Sequence, residues 1–229
     1  MVKIVLDAGH GGKDPGALAN GLKEKDITLA LVLKAGAYLT ENYQCDVIYT
    51  RKEDMYLSPS ERARRANEAK ADVFCSFHIN SAENPSARGF ETFRYPKTAG
   101  KTAMLQMLVH EKVMNEMKKH HVLNRGMKEE NFAVVRETEM PAVLTETLFI
   151  SNKEDARLLK SESFLDQVAC AHAVGIAQAA GAKERTVPAE TKTLYRLLTG
   201  TFSEREEAEE KAGLLRRAYG WIVHVKEEK

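Results

Sequence analysis

Two histidines and two glutamates stand where an apolar run meets a polar turn, and together they could do hydrolytic chemistry. Lys3-Ile4-Val5-Leu6-Asp7-Ala8-Gly9 delivers His10 into the pair Gly11-Gly12. Ala71-Asp72-Val73-Phe74-Cys75-Ser76-Phe77 delivers His78, with Asn80 just beyond, and Pro141-Ala142-Val143-Leu144-Thr145 delivers Glu146. The fourth group, Glu24, opens an amphipathic segment in which Ile27, Ala30, Leu31, Ala35, Tyr38 and Leu39 recur at helical spacing up to about Asn42. Two imidazoles and one carboxylate are a common ligand set for a catalytic zinc with a fourth position open to water, and a further glutamate can serve as general base. No H-E-x-x-H motif fixes these groups by local spacing. The plainer alternative, in which each residue only caps the end of its own element, stays open at this point. Glu24 and Asp26, for instance, also suit a helix N-terminus through the helix dipole.

The elements that must position these groups read as strand, helix, strand with short links. Asp46–Thr50 is a second strand. Ser58-Pro59-Ser60-Glu61 is a helix start with a serine cap, proline in the first turn and glutamate three residues on, and the helix runs to about Lys70. Gly89–Tyr95 alternates as a strand carrying Glu91. A helix over about Thr102–His120 has Met104, Met107, Leu108, Met114 and Met117 as its apolar side, with His110, His120 and His121 expected to face solvent or end the helix. Phe132–Val135 reads as a short strand leading to Arg136. Asn152 begins a helical region, and Ser163–Ala180 closes the domain with Gly181 as its stop. Near-continuous apolar strands imply burial on both faces, so the expected fold is α/β: a three-layer, twisted, mostly parallel sheet flanked by helices. In such sheets ligands gather at the carboxyl ends of parallel strands, where His10, His78 and Glu146 would converge; Gly11 and Gly12 would then leave room for substrate beside them.

Composition excludes several classes. The 229 residues carry 34 Lys+Arg against 33 Asp+Glu, a formal net charge of +1, so no global field attracts nucleic acid or anionic lipid. Residues 182–229 alone hold 10 basic and 9 acidic side chains, which changes nothing. Cys45, Cys75 and Cys170 are odd in number and widely spaced, and read as buried free thiols. No stretch reaches the roughly 20 apolar residues of a membrane span, and no signal peptide precedes the first strand. The chain is therefore expected to be made in the cytoplasm, with no membrane insertion.

Four blocks in order carry a resemblance: Asp7-Ala8-Gly9-His10-Gly11-Gly12, Leu22-Lys23-Glu24-Lys25-Asp26, Ser76-Phe77-His78-Ile79-Asn80 and Pro141-Ala142-Val143-Leu144-Thr145-Glu146. Over about Val2–Ala180 the chain resembles the zinc-dependent N-acetylmuramoyl-L-alanine amidases of the amidase-3 type. Lesser matches are Thr50-Arg51 with Asp54, Arg62 before Asn67, and Gly89-Phe90-Glu91. The resemblance implies one Zn2+ held by His10, Glu24 and His78, with Glu146 as catalytic carboxylate. Its implied reaction is cleavage of the amide between N-acetylmuramic acid and the first L-alanine of the peptidoglycan stem peptide. Asn80, Glu91 and Arg136 are candidates for substrate contact or for support of the site. After Glu146 the family has Val-Gly-Phe-Ile-Ser-Asn, whereas this chain has Thr147-Leu148-Phe149-Ile150-Ser151-Asn152, which loses a glycine. A chain of this kind fits a phage endolysin released by a holin, or an autolysin acting at mother-cell lysis. Other readings are a non-catalytic peptidoglycan-binding protein and a zinc peptidase acting on another amide.

Beyond a catalytic domain at 1–181 and a linker at 182–192, residues 193–229 read as strand (Leu194–Phe202), helix (from Ser203, with Ala208, Ala212, Leu215 and Tyr219 on one side) and strand (Trp221–Val225). This unit resembles half of a SPOR repeat, a module that binds peptidoglycan glycan strands. So small a two-stranded unit buries little by itself, which leaves two expectations: a homodimer through this segment, or a vestigial or disordered tail on which Glu204–Glu210 is only a solvated acidic face.

Overall fold

The computed structural model describes residues 1–185, 201–219 and 225. It divides into two units, Met1–Arg185 and Thr186–Lys229. The first contains β1 (Val2–Ala8), β2 (Leu18–Ala19), β3 (Leu22–Lys23), α1 (Glu24–Asn42), β4 (Cys45–Tyr49), α2 (Pro59–Glu68), β5 (Val73–Asn80) and β6 (Phe90–Arg94). These are followed by α3 (Lys101–Met117), β7 (Asn124–Glu129), α4 (Ala133–Arg136), β8 (Ala142–Phe149), α5 (Lys153–Leu159) and α6 (Glu162–Ala180). The six-stranded sheet has the order β4-β1-β5-β8-β6-β7. Strands β4, β1, β5 and β8 are mutually parallel; β6 runs antiparallel to β8, and β7 parallel to β6.

Apolar side chains alternate to the two faces, giving the expected three layers. One face, with Ile4, Leu6, Cys75, Phe77 and Val143, packs on Leu31, Val109 and Val168 of α1, α3 and α6. The other, with Val5, Phe74, Ala142 and Leu144, packs on Ala66 of α2 and Val134 and Val135 of α4. Three helices carry clear local boundary signals. Ser58 and Glu61 form the reciprocal capping box of α2, Asn152 accepts from Glu154 and Asp155 at the head of α5, and Gly181 closes α6 in the left-handed region. Cys45, Cys75 and Cys170 are free thiols.

Several expectations are corrected. Residues Ala133–Arg136 form a turn of helix, because Val134 and Val135 both pack inward, which an alternating strand cannot do. Strand β7 has no apolar alternation and escapes the sequence reading as an edge strand. The buried side of α3 is Leu105, Val109, Val113, Met114 and Met117, while Met104 and Met107 are exposed. His110 is buried, its ring nitrogens 3.1 Å from the Thr92 hydroxyl and 2.9 Å from Asn124 Oδ1. The first unit extends past Gly181 to Arg185, whose backbone N–H donates to Asn42 and whose side chain donates to Thr40 and Tyr43 carbonyls. In the second unit the expected helix is present as α7 (Arg205–Tyr219). Most of the expected strand Leu194–Phe202 and of Trp221–Val225 lies outside the described residues, and Thr201 and Phe202 are not in a strand. Among the described residues no helix is long and apolar enough to cross a membrane.

Candidate metal and hydrolytic site

His10 sits at the end of β1 with φ of 60°, an uncommon conformation for a residue with a side chain. Two buried arginines hold this turn. Arg51 donates to the carbonyls of Ala8 and Gly9, each at 2.9 Å, and to that of Lys25 at 2.8 Å. Arg62 donates to the carbonyl of Ala8, to that of His10 at 2.6 Å and to Asp7 Oδ1 at 2.9 Å. Asp7 is fully buried and also accepts from the hydroxyls of Thr50 and Ser76. Burial works to raise its pKa, but the Arg62 charge and these two hydroxyls hold the carboxyl below its usual range.

Glu24 opens α1 at the same edge and is buried. Its Oε1 lies 3.1 Å from His10 Nε2 and 3.0 Å from His78 Nδ1, and accepts from the backbone N–H of Ile79 at 3.0 Å; its Oε2 accepts from that of Ala17. The His10 and His78 rings meet edge to face, 5.0 Å apart. Ligand atoms of His10, Glu24 and His78 all lie within 4.8 Å of one another. Bonds of about 2.0–2.2 Å in a tetrahedral arrangement place donor atoms roughly 3.3 Å apart, so this trio can hold a metal ion with little movement. The far nitrogen of His10, Nδ1, lies 2.8 Å from Asp14 Oδ2, the kind of outer partner that fixes a ligand imidazole. Burial opposes protonation of His10, but the hydrogen bond and charge of Glu24, then those of Asp14, outweigh it and raise the pKa. Glu24 is lowered: burial acts against this, and His10 and His78 overcome it.

The glycines around the trio differ from expectation. A Cβ on Gly16, which has φ of 65°, would lie 2.6 Å from Glu24 Oε2 and 2.7 Å from His10 Cδ2, and one on Gly9 would enter the His78 ring. These two make room for the cluster. A Cβ on Gly11 or Gly12 would instead strike the backbone of Met55 or Tyr56, so they serve loop packing and not the open side of the cluster.

Glu146 lies inside β8, register partner of His78 on β5 and of Glu91 on β6. Partners on adjacent strands point to one face, so all three carboxyl and imidazole groups share it. Glu146 is half-buried as a residue, yet its Oε2 is inaccessible and has no hydrogen-bond partner. Burial first, then the charges of Glu24 and Glu91, push its pKa well above the carboxylate range. Immediately after it the strand bulges: His78 pairs with Glu146 but Asn80 with Phe149, and Leu148, fully buried, has φ of 70°. Leu148, where the family that the chain resembles carries glycine, thus adopts a left-handed conformation. Asn80 donates to Glu91 Oε1 at 2.6 Å, and Glu91 is buried among Arg125 and Lys128. Arg136, at the end of α4, binds Asn131 and Glu137 instead of the cluster.

Sequence reasoning missed Asp14, Gly9 and Gly16, and noted Arg51 and Arg62 only as lesser matches. An aspartate four residues after a ligand histidine, within one glycine-bearing loop, was the available signal for Asp14. Comparison with known proteins decides the family: residues 4–178 match the model described as N-acetylmuramoyl-L-alanine amidase. The chain belongs to this amidase family. It is 49% identical over 189 residues to an endolysin of Bacillus phage SPP1, covering 81% of this chain and 69% of the endolysin. It is 39% identical over 210 residues to the sporulation-specific N-acetylmuramoyl-L-alanine amidase of Bacillus subtilis, covering 91% of this chain and 78% of that protein. The catalytic domain of CwlV, an amidase from Bacillus (Paenibacillus) polymyxa var. colistinus, superposes with a TM-score of 0.75 at 34% identity, over 80% of this chain and 100% of that domain. The sheet that carries the His10, Glu24 and His78 cluster is therefore a fold shared with solved amidases.

Proposed function

We propose that this amidase is a zinc-dependent cell-wall hydrolase that cleaves the amide between N-acetylmuramic acid and L-alanine of peptidoglycan. The observation that carries this reading is the His10, Glu24 and His78 trio, with donor atoms at metal-binding spacing beside a carboxylate whose Oε2 has no partner. The donor set suits zinc: two imidazoles, one carboxylate and an open side. When bound, zinc supplies Lewis acidity toward the amide carbonyl and the attacking water.

The chain's own groups do the rest. Asp14 orients the His10 ring, and the Ile79 and Ala17 N–H groups orient Glu24. Glu146 takes the proton of the attacking water and gives it to the departing amine of L-alanine. Asn80 and Glu91 support the rim of the site through their mutual hydrogen bond. Arg136 keeps a place in the proposal only as an outer contact for an extended substrate.

The second unit is read as a wall-binding, SPOR-like half-module whose two copies join in a homodimer. The match to the sporulation amidase spans 91% of the chain, more than the first unit contains, which favours a shared role for both units. Light scattering tests the dimer, and a monomer with an ordered tail would remove it.

The deciding experiment for the enzyme is digestion of purified cell walls with and without a chelator. The reading expects new L-alanine amino termini, no new reducing sugars, loss of activity with the chelator and recovery on adding zinc. Reducing ends, or full activity after complete metal removal, would overturn it.

A further inference from the structure

A row of register partners leaves the metal trio and crosses the sheet: His78 on β5, Glu146 on β8, Glu91 on β6 and Gly126 on the edge strand β7. Adjacent strands lie about 4.8 Å apart, so the β7 end of the row is about 10 Å from Glu146. Strand β7 carries one residue more than its partner there. Phe90 pairs with Asn124 and Glu91 with Gly126, leaving Arg125 as the extra residue, with Gly126 at φ of 88°. Bulges of this kind re-aim a side chain.

Here the bulge turns a cation toward the row. Arg125 Nε donates to Glu91 Oε2 at 3.1 Å, and its guanidinium lies over the Phe149 ring at 4.7 Å. Lys128, two residues beyond Gly126 and so on the same face, donates to the same Glu91 oxygen. Asn80 occupies the other oxygen. Glu91 is thus the one carboxylate that both cations contact directly, with Asp155 a further charge near Arg125. Glu91 is buried, with 4% of its side chain exposed, while Arg125 and Lys128 are 29% and 40% exposed. Arg125 has five N–H donors; besides Nε on Glu91, its Nη1 makes one long bond, 3.5 Å to the Arg88 carbonyl.

We propose that Arg125 and Lys128 form an anion subsite that holds a carboxylate of the stem peptide, with Glu91 and Asn80 as the base that keeps the two cations in place. The proposal rests on the amidase reading. A peptide leaving the scissile amide at His78 and Glu146 and running toward β7 covers the 10 Å in about three residues. A stem peptide that is not cross-linked at its end carries a terminal carboxylate, and an arginine beside a lysine matches that group in charge and in donor geometry.

The test uses the full-length, zinc-loaded chain carrying E146Q, which reports binding without turnover. Two probes are titrated by calorimetry: an N-acetylmuramoyl tripeptide with free carboxylates, and the same compound with its peptide carboxylates converted to carboxamides. The carboxylate compound is expected to bind at least tenfold more tightly, as for the loss of one charge-assisted hydrogen bond. Adding K128Q, at a half-exposed edge position, should shrink that ratio to below about threefold by weakening only the carboxylate compound, and R125Q should do the same. A ratio near one, a ratio unchanged in both variants, or no measurable binding of the carboxylate compound would overturn the subsite. Turnover of that compound by the unsubstituted chain judges the amidase reading separately.

Discussion

His78 and Glu146 are register partners on the parallel strands β5 and β8, so one residue of the metal trio and the unpartnered carboxylate leave the sheet side by side on one face. The pairing is set by backbone hydrogen bonding between two strands far apart in the chain. Neither side chain contributes to it, which leaves both free for chemistry. The strand then bulges, as strands do beside functional sites.

Replacing Glu146 by glutamine keeps the size of the side chain and removes its capacity to accept a proton. We expect turnover of cell walls to fall by about 10²–10⁴-fold, the usual worth of a general base. Zinc content, measured by atomic absorption, should stay at one per chain. Retained hydrolysis would move the base elsewhere on the row, with Glu91 the nearest carboxylate.

Asp14 touches the far nitrogen of His10 and no other member of the trio. Asp14→Ala should weaken zinc binding by about 10–100-fold, as loss of an outer-sphere partner does. At saturating zinc most of the activity should return. Competition with a chromogenic chelator measures the first effect, and an unchanged zinc affinity would count against the role of Asp14.

Leu148 is fully buried in the left-handed region. Leu148→Gly relieves about 1–2 kcal/mol of backbone strain and sacrifices about 2–5 kcal/mol of core packing. The expected outcome is a net loss of about 2–3 kcal/mol, read as a Tm lower by about 5–10 °C. Because the turn beside Glu146 survives, cell-wall hydrolysis at 20 °C should persist. Loss of activity without loss of stability would show that the leucine side chain itself shapes the site.

His172 lies outside the site, fully buried between α6 and β8. Its Nδ1 donates to the Val168 carbonyl at 2.8 Å, and its Nε2 lies 3.2 Å from the Thr145 hydroxyl. Burial lowers its pKa to about 4. The folded chain therefore binds fewer protons than the unfolded one as pH falls from about 6.5 to about 4, and stability drops across that window by about 3 kcal/mol from this group. Urea denaturation at pH 7, 5.5 and 4 checks the slope. His172→Gln, less stable at pH 7, should lose less on acidification; an identical slope would assign the acid sensitivity to the carboxylates.

Much of this was legible in the sequence for a physical reason. Apolar runs leading to His10, His78 and Glu146 declare buried parallel strands, although β5 and β8 run on past His78 and Glu146, and capping signals such as Ser58 with Glu61 mark helix starts locally. Placement at a helix start brought Glu24 to the same sheet edge as the two histidines, and the family resemblance implied its role as ligand. Periodicity placed Met114 and Met117 of α3 correctly but not Met104 and Met107, because methionine tolerates water and Gln106 and His110 are buried through hydrogen bonds to Thr92 and β7.

Distances belong to the tertiary structure. Strand register decided that His78, Glu146 and Glu91 share a face, and no local pattern encodes which residue of β8 meets which residue of β5. Packing decided that Gly16 and Gly9, not Gly11 and Gly12, clear space for the cluster. The long-range contacts of Arg51 and Arg62 fix the His10 turn against its unfavourable backbone angle. The sequence by itself named the groups that can bind metal and move a proton; only the folded sheet set Glu24 at 3.0–3.1 Å from the two histidines, because that spacing is the sum of contacts between segments the chain keeps far apart.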